Sequence, residues 1–236
     1  MNQVLALACK DWRISVDTPV VYVVAASFML VAGFVFGSGL FLGGQAELRT
    51  FFGWLPLLWL FFLPALAMRA LAEERRLGTF EVLATLPVSS GRVVIGKFLA
   101  VMWQVLLLLL LTLTYPFSLA VLSSVDVGQV LAAYTGALLL ASAFASMCLF
   151  ASSLTTNAVV AYIVGFILIL GFVLLEKASA LMSSALQTSL QLFNPIQYYE
   201  LLLRGVARPE DPIFFLSFTV VFLTAANFQL ERRRWL

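Results

Sequence analysis

Residues 69–97, RALAEERRLGTFEVLATLPVSSGRVVIGK, form the one long polar interruption in a chain that otherwise reads as lipid-soluble. They carry five basic residues (Arg69, Arg75, Arg76, Arg92, Lys97) and three acidic ones (Glu73, Glu74, Glu81), with a short helical pattern that stops at Pro87. On both sides the sequence turns apolar for about as long as a helix needs to cross ~30 Å of hydrocarbon. The whole chain of 236 residues is 62% hydrophobic and 11% charged, with a mean hydropathy of +1.03. That much apolar surface exceeds what one soluble core can bury, so an all-α, multi-pass membrane protein is expected.

Six spans follow from the hydrophobic runs, as one transmembrane domain over 1–236. They are 19–42, 51–68, 92–122, 129–150, 158–175 and 212–230. Residues 2–16 place Val4, Leu5, Ala8 and Trp12 on one helical face, with Lys10, Asp11 and Arg13 largely opposite, which suits an interfacial helix. A frayed N-terminus is the alternative. Asp17-Thr18-Pro19 then marks a restart, with a polar N-cap and proline at the first helical position. The first run is too long for a signal peptide, whose apolar region covers about 7–15 residues. Gly33, Gly37, Gly39 and Gly43 contain two small-xxx-small spacings that permit close helix contact.

Pro56 and Pro64 fall inside the second span, with a kink expected near Pro64, and Tyr115-Pro116 should bend the third. The first turns of that long third span are expected to stand outside the lipid. The fourth span, rich in Ala, Ser and Gly, should pack on other helices more than on lipid. Residues 176–211 make a second non-membrane segment. An amphipathic helix over 181–193 is expected there, then a short helix, Gln197 to Arg204, stopped by Gly205.

Six spans put both termini on one side. Ten basic residues fall there (Lys10, Arg13, Arg69, Arg75, Arg76, Arg92, Lys97, Arg232, Arg233, Arg234) against four on the other (Arg49, Lys177, Arg204, Arg208). The positive-inside rule therefore expects cytosolic termini and a cytosolic 69–91 segment, with 176–211 extracytoplasmic. Net charge is only +2, which offers no basic face for nucleic acid. The chain has no His, and its two cysteines, Cys9 and Cys148, lie far apart. Ser-His catalysis, a His-rich metal site and a disulfide framework are thereby excluded. Spans almost free of charge argue against an ion-coupled transporter and against an intramembrane enzyme.

Gly91 to Lys97 fits the phosphate-loop pattern G-x-x-x-x-G-K, but Phe98 stands where the magnesium-ligating Ser or Thr belongs, and no strand precedes it. Nucleotide binding by this chain is not expected. Within 69–91, Glu73 can pair with Arg76 three residues on, Gly78 breaks the helix, and Thr79 can cap a short one with Glu81 in its first turn. Ser89 or Ser90 can cap the third span. The apolar residues Phe80, Val82, Leu83 and Leu86 suit either a groove on a partner protein or the inner lipid surface.

The run PALAMRALAEERRLGTFEVLATLPVSSGRVVIGKFLA resembles the permease subunits of type-2 ABC exporters, especially the gliding-motility-associated GldF-like branch. KDWRISVDTPVVYVV, SSLTTNAVVAY and LLLRGVARPEDPIFFLSF are similar too, in the same order along nearly the whole chain. The resemblance implies that 69–91 is a coupling segment docking on a separate cytosolic ATPase. The matching positions are Glu73 or Glu74, Arg76, Gly78, Thr79, Glu81, Leu83 and Pro87, with Arg75 and Phe80 alongside. The family's Asn-Gln appears here as Asn157-Ala158. It further implies a non-catalytic chain without its own cofactor, two ATPase copies holding ATP and magnesium, and a second permease subunit, identical or related. An extracytoplasmic accessory subunit is compatible with it, and the location would be the bacterial inner membrane. The competing expectation is a membrane anchor or assembly factor that recruits an ATPase without transporting anything.

Overall fold

A computed structural model describes residues 3–43, 48–76, 89–122, 126–179, 192–205, 208 and 210–232. The described helices are α1 (Gln3–Asp17), α2 (Pro19–Gly43), α3 (Leu48–Arg76), α4 (Ser90–Thr112), α5 (Thr114–Leu122), α6 (Val127–Leu154), α7 (Ala158–Ser179), α8 (Pro195–Leu203) and α9 (Glu210–Arg232). No strand occurs among the described residues. Six helical runs are long and apolar enough to span a membrane, α4 and α5 together forming the third.

The centre of the bundle is α6, whose most apolar stretch is 78% buried, against 11% for α2, 17% for α7 and 22% for α9. Its small residues explain this. Ala137, Ala141, Ala143, Ala145 and Ala151 let α3, α4, α7, α8 and α9 all approach it. Ser142, Ser146 and Ser153 donate back to carbonyls three residues earlier, so their hydroxyls cost little in this interior.

Helix boundaries shift where backbone chemistry dictates. The second span, expected over 51–68, runs on as one helix to Arg76, carrying the charged residues 69–76 with it. The third breaks at Leu113, earlier than Pro116 itself. A proline ring collides with the carbonyl four residues before it, here Thr112, so the break belongs there. Thr18 separates α1 from α2, its hydroxyl donating to the Ile14 carbonyl, while Asp17 still belongs to α1. Of the glycine stripe, Gly33 faces the Tyr115 hydroxyl and Gly39 faces Thr50 within the chain; Gly37 has open space beside it. The amphipathic helix expected over 181–193 lies mostly outside the described residues.

Asn194 caps α8 through its side chain, with Pro195 at the first position, and Gly205 at φ 77° ends the turn after it. This short helix is a plug. Ile196, Tyr199, Leu202 and Leu203 are buried, and Gly136 of α6 leaves room for Tyr199 and Leu202 at 3.3 Å from where its Cβ would stand. The Tyr199 hydroxyl donates to the Phe52 carbonyl at 2.8 Å. Pro56, four residues later, has no N–H to offer that carbonyl.

Removing the hydroxyl with Tyr199→Phe is expected to cost about 1–3 kcal/mol, the range for stranding a buried acceptor. Pro56→Ala restores the amide. Thermal unfolding should show the Tyr199→Phe penalty shrinking in the Pro56→Ala background.

Candidate functional site

Lys97 lies about two turns into α4, near apolar Ile95 and Phe98, and its side chain is only 7% exposed. A lysine in that position needs anionic partners, because an unpaired buried charge is very costly. It has two. The ammonium lies 2.5 Å from Glu74 Oε1 of α3 and 3.0 Å from Asp11 Oδ2 of α1. Three helices are thereby joined by one buried group at the end of the bundle that carries the basic residues. We call this the basic end.

Gly96, next to Lys97, explains how α1 comes so close. A Cβ there would meet Leu7 Cβ at 3.0 Å and the Val4 carbonyl at 3.4 Å. The glycine and lysine of the apparent phosphate loop are therefore a close helix contact and a buried counter-ion. α1 runs parallel to α4 along this contact. Arg92 donates to Gln3 Oε1 at 2.6 Å, Gln104 Nε2 donates to Ser15 Oγ at 2.9 Å, and the Trp12 and Trp103 rings meet edge-on at 6.3 Å. The first turns of α4 are thus wrapped by protein, with Val93, Val94 and Lys97 buried. Asn227 of α9 faces Gly91, and Leu71, Val94, Leu149, Ala226 and Leu230 make a small apolar cluster at this level.

The end of α3 divides its charges by face. Glu74 turns inward to Lys97. Arg75 also turns inward, its guanidinium donating to the Ser153 carbonyl at the end of α6. The Ser152 hydroxyl donates to the Met68 carbonyl at 3.0 Å and accepts from the Ala72 amide at 3.1 Å and the Leu71 amide at 3.2 Å. Met68 and Ala72 are the pair an uninterrupted turn joins directly, so α6 is stitched into the hydrogen-bond ladder of α3. Glu73 pairs with Arg69 at 3.9 Å, not with Arg76 as its spacing also allowed, and Arg76 is exposed. Gly78, Thr79, Phe80, Glu81, Leu83 and Pro87 lie outside the described residues. At the far flank, Ser89 occupies the N-cap position of α4 without a side-chain cap bond.

What sequence reasoning missed is the joint role of Asp11 and Lys97. Asp11 reads as the polar face of a surface helix and Lys97 as the end of a nucleotide motif. The available signal was a lone lysine inside an apolar run, with a carboxylate in an otherwise amphipathic N-terminal stretch.

At the opposite end, Glu200 of α8 has its pKa raised, first by burial and then by the neighbouring Glu176, against the lowering pull of Arg204 and Lys177. Its proton is held more tightly in the folded chain than in the unfolded one. Stability from this group therefore grows as pH falls through the raised pKa and levels off below the ordinary glutamate value.

The family model for ABC-2 family transporter proteins matches residues 44–228. The match covers α3 to most of α9, including Glu74, Arg75, Lys97 and Ser152, and the chain belongs to that family. It is a multi-pass membrane transport component of a class that works with an ABC ATPase. No curated protein matches it.

Two outcomes are expected from these contacts. Lys97→Met removes the ammonium that Asp11 and Glu74 share and should destabilise the purified chain by up to about 3–5 kcal/mol, whereas Lys97→Arg loses much less. Glu200→Gln should raise the melting temperature near neutral pH and flatten its rise on mild acidification.

Proposed function

We propose that the chain is the permease subunit of an ATP-driven exporter, of the GldF-like branch, in a bacterial inner membrane. The observation that carries this reading is the Lys97 cluster. It binds α1, α3 and α4 into one body at the two roots of residues 77–88, the segment that the resemblance assigns to ATPase docking. Ten basic residues against four support a cytosolic basic end and cytosolic termini.

In this reading the chain performs no covalent chemistry. Two ATPase copies hold ATP and magnesium, and their closure displaces residues 77–88. Because α3 and α4 continue directly from that segment, its displacement passes to both helices. The Asp11–Lys97–Glu74 cluster carries α1 along. Ser152 and Arg75 pass the motion into α6, the central helix, so the bundle switches as packed units between two arrangements. Glu73, Arg76 and Glu81 make charged contacts with the ATPase, while Phe80 and Leu83 fill its groove. Glu74 and Arg75 act from inside, holding the root. Gly78, Thr79 and Pro87 bound the short helix that the sequence pattern leads one to expect between them.

The sparsely buried helices α2, α7 and α9 leave wide apolar faces, with Tyr22, Leu30, Phe34, Ile167 and Phe228 exposed. Those faces suit a second permease chain, identical or related, together with membrane lipid. Spans with so little charge suit a lipidic or amphipathic cargo. An extracytoplasmic accessory subunit would engage the 176–211 side.

The test reverses two charges on the docking segment. Arg76→Glu with Glu81→Lys is expected to reduce co-purification of the ATPase at least ~10-fold, with an unchanged melting temperature of the permease. Full ATPase retention together with full transport would overturn these contacts. ATPase capture by the parent chain without cargo-stimulated hydrolysis would favour a recruiting anchor over an exporter.

A further inference from the structure

The Lys97 cluster borders a cleft of about 640 Å³, with α1 and α3 as its sides, α4 as its floor and the start of α2 further in. Its volume lies within the ~300–1,000 Å³ of small-molecule sites. The lining changes character with depth. Towards the basic end, Lys10 of α1 and Arg69 of α3 stand exposed at the rim. About one turn further in along the same two helices come Ile14 and Leu66, and beyond them Val101 and Val21 continue an apolar wall.

Three observations define what fits there. The rim offers uncommitted donors. Lys10 has no hydrogen bond or ion pair among the described residues, and Arg69 has only the contact of its Nε with Glu73 at 3.9 Å, which leaves both arms of its guanidinium open. A loose, exposed pair of that kind contributes little, so Arg69 can take a better-placed anion on its fork. Secondly, the inner carboxylates lie below the rim. Asp11 and Glu74 are held inward on Lys97, 12% and 17% exposed, so an anion arriving at the mouth meets the two cations first. Thirdly, the cleft lies where lipid headgroups belong. Ile14 is 52% exposed beside Lys10, and the half-buried Trp12 and Trp103 pair flanks the same stretch of α1 and α4, as tryptophan does at a membrane boundary.

We propose that this cleft holds one anionic phospholipid of the adjoining leaflet. Its phosphate lies between the Lys10 ammonium and the Arg69 guanidinium, and one acyl chain lies along Ile14, Leu66 and Val101. Two cations above an apolar wall match a phosphate joined to a hydrocarbon chain better than either part alone. The lipid is a bound component that fills the gap between α1 and α3, separate from any cargo. The site is complete within one chain. It uses α1, which lies before the family-matched region, and it needs neither the ATPase nor a second permease.

The probe is phosphatidylglycerol, titrated into the delipidated chain in a neutral maltoside detergent, with bound copies counted by native mass spectrometry. One saturable copy per chain is expected. Phosphatidylcholine, which has no net charge, should bind at least ~5-fold more weakly, and excess inorganic phosphate should not displace the lipid. Lys10→Gln with Arg69→Gln removes both donors and should weaken binding at least ~10-fold, with an unchanged melting temperature because both side chains are exposed. Leu66→Trp narrows the apolar wall and should weaken it as well. Glu73→Gln releases Arg69 from its acidic neighbour and should tighten binding, an outcome that misfolding cannot produce. Unsaturable uptake, equal binding of phosphatidylcholine, displacement by phosphate alone, or affinity unchanged in the double variant would each overturn the proposal. Because no ATPase is present, such a failure leaves the transport reading untouched.

Discussion

Pro56 and Pro116 each take an amide hydrogen out of a helix that runs where no water can replace it. That constraint shapes the bundle. The carbonyl deprived by Pro56 accepts the Tyr199 hydroxyl, which draws the short helix α8 into the space between α3 and α6. The helix deprived by Pro116 breaks at Leu113, with the Thr112 hydroxyl donating to Leu109 and meeting the Tyr134 hydroxyl at 3.1 Å. At the other end, Ser152 supplies both a donor and an acceptor to one turn of α3. At Phe52 and at Met68 a polar side chain from a neighbouring element completes a backbone group, so the hydrogen-bond requirement itself helps select which helices touch. Dispersion between small residues then fixes how closely they do so.

The same logic, applied to charge in place of backbone, governs the basic end. A buried ion pair contributes little net stability when measured against apolar packing of the same volume, because desolvation offsets the attraction. Its effect is on geometry. Lys97 reaches both Asp11 and Glu74 from one position, so the shared contact favours one relative arrangement of α1, α3 and α4. Arg75 on the Ser153 carbonyl extends that arrangement to α6. A segment rooted in such a framework transmits displacement, whereas one rooted in loosely packed helices would dissipate it.

Most of the architecture was legible in the sequence because hydrophobic length and charge placement are properties of single segments. The six spans, the internal packing of the Ala- and Ser-rich helix, and the break in the long third span all follow from local composition. The site was legible only in outline. Glu74 and Arg75 lie in the polar stretch that marks it, but whether each faces a partner or the bundle depends on helix rotation, which residue spacing leaves open. Asp11 and Lys97 are separated by two described helices, α2 and α3, and nothing in either neighbourhood announces the other. The G-x-x-x-x-G-K pattern drew attention to the right two residues for the wrong chemistry. Gly96 admits a helix backbone and Lys97 neutralises carboxylates, which are the same physical properties a phosphate loop uses.

The ion cluster also has a temporal side. Asp11 and Glu74 emerge from synthesis before Lys97 does, and until then each carboxylate repels the other and favours water over the interior. Once Lys97 arrives, the sign of that interaction reverses and the N-terminal helix is drawn into place behind the third span. Lys97 thus completes, in the order of synthesis, a cluster that Asp11 and Glu74 begin.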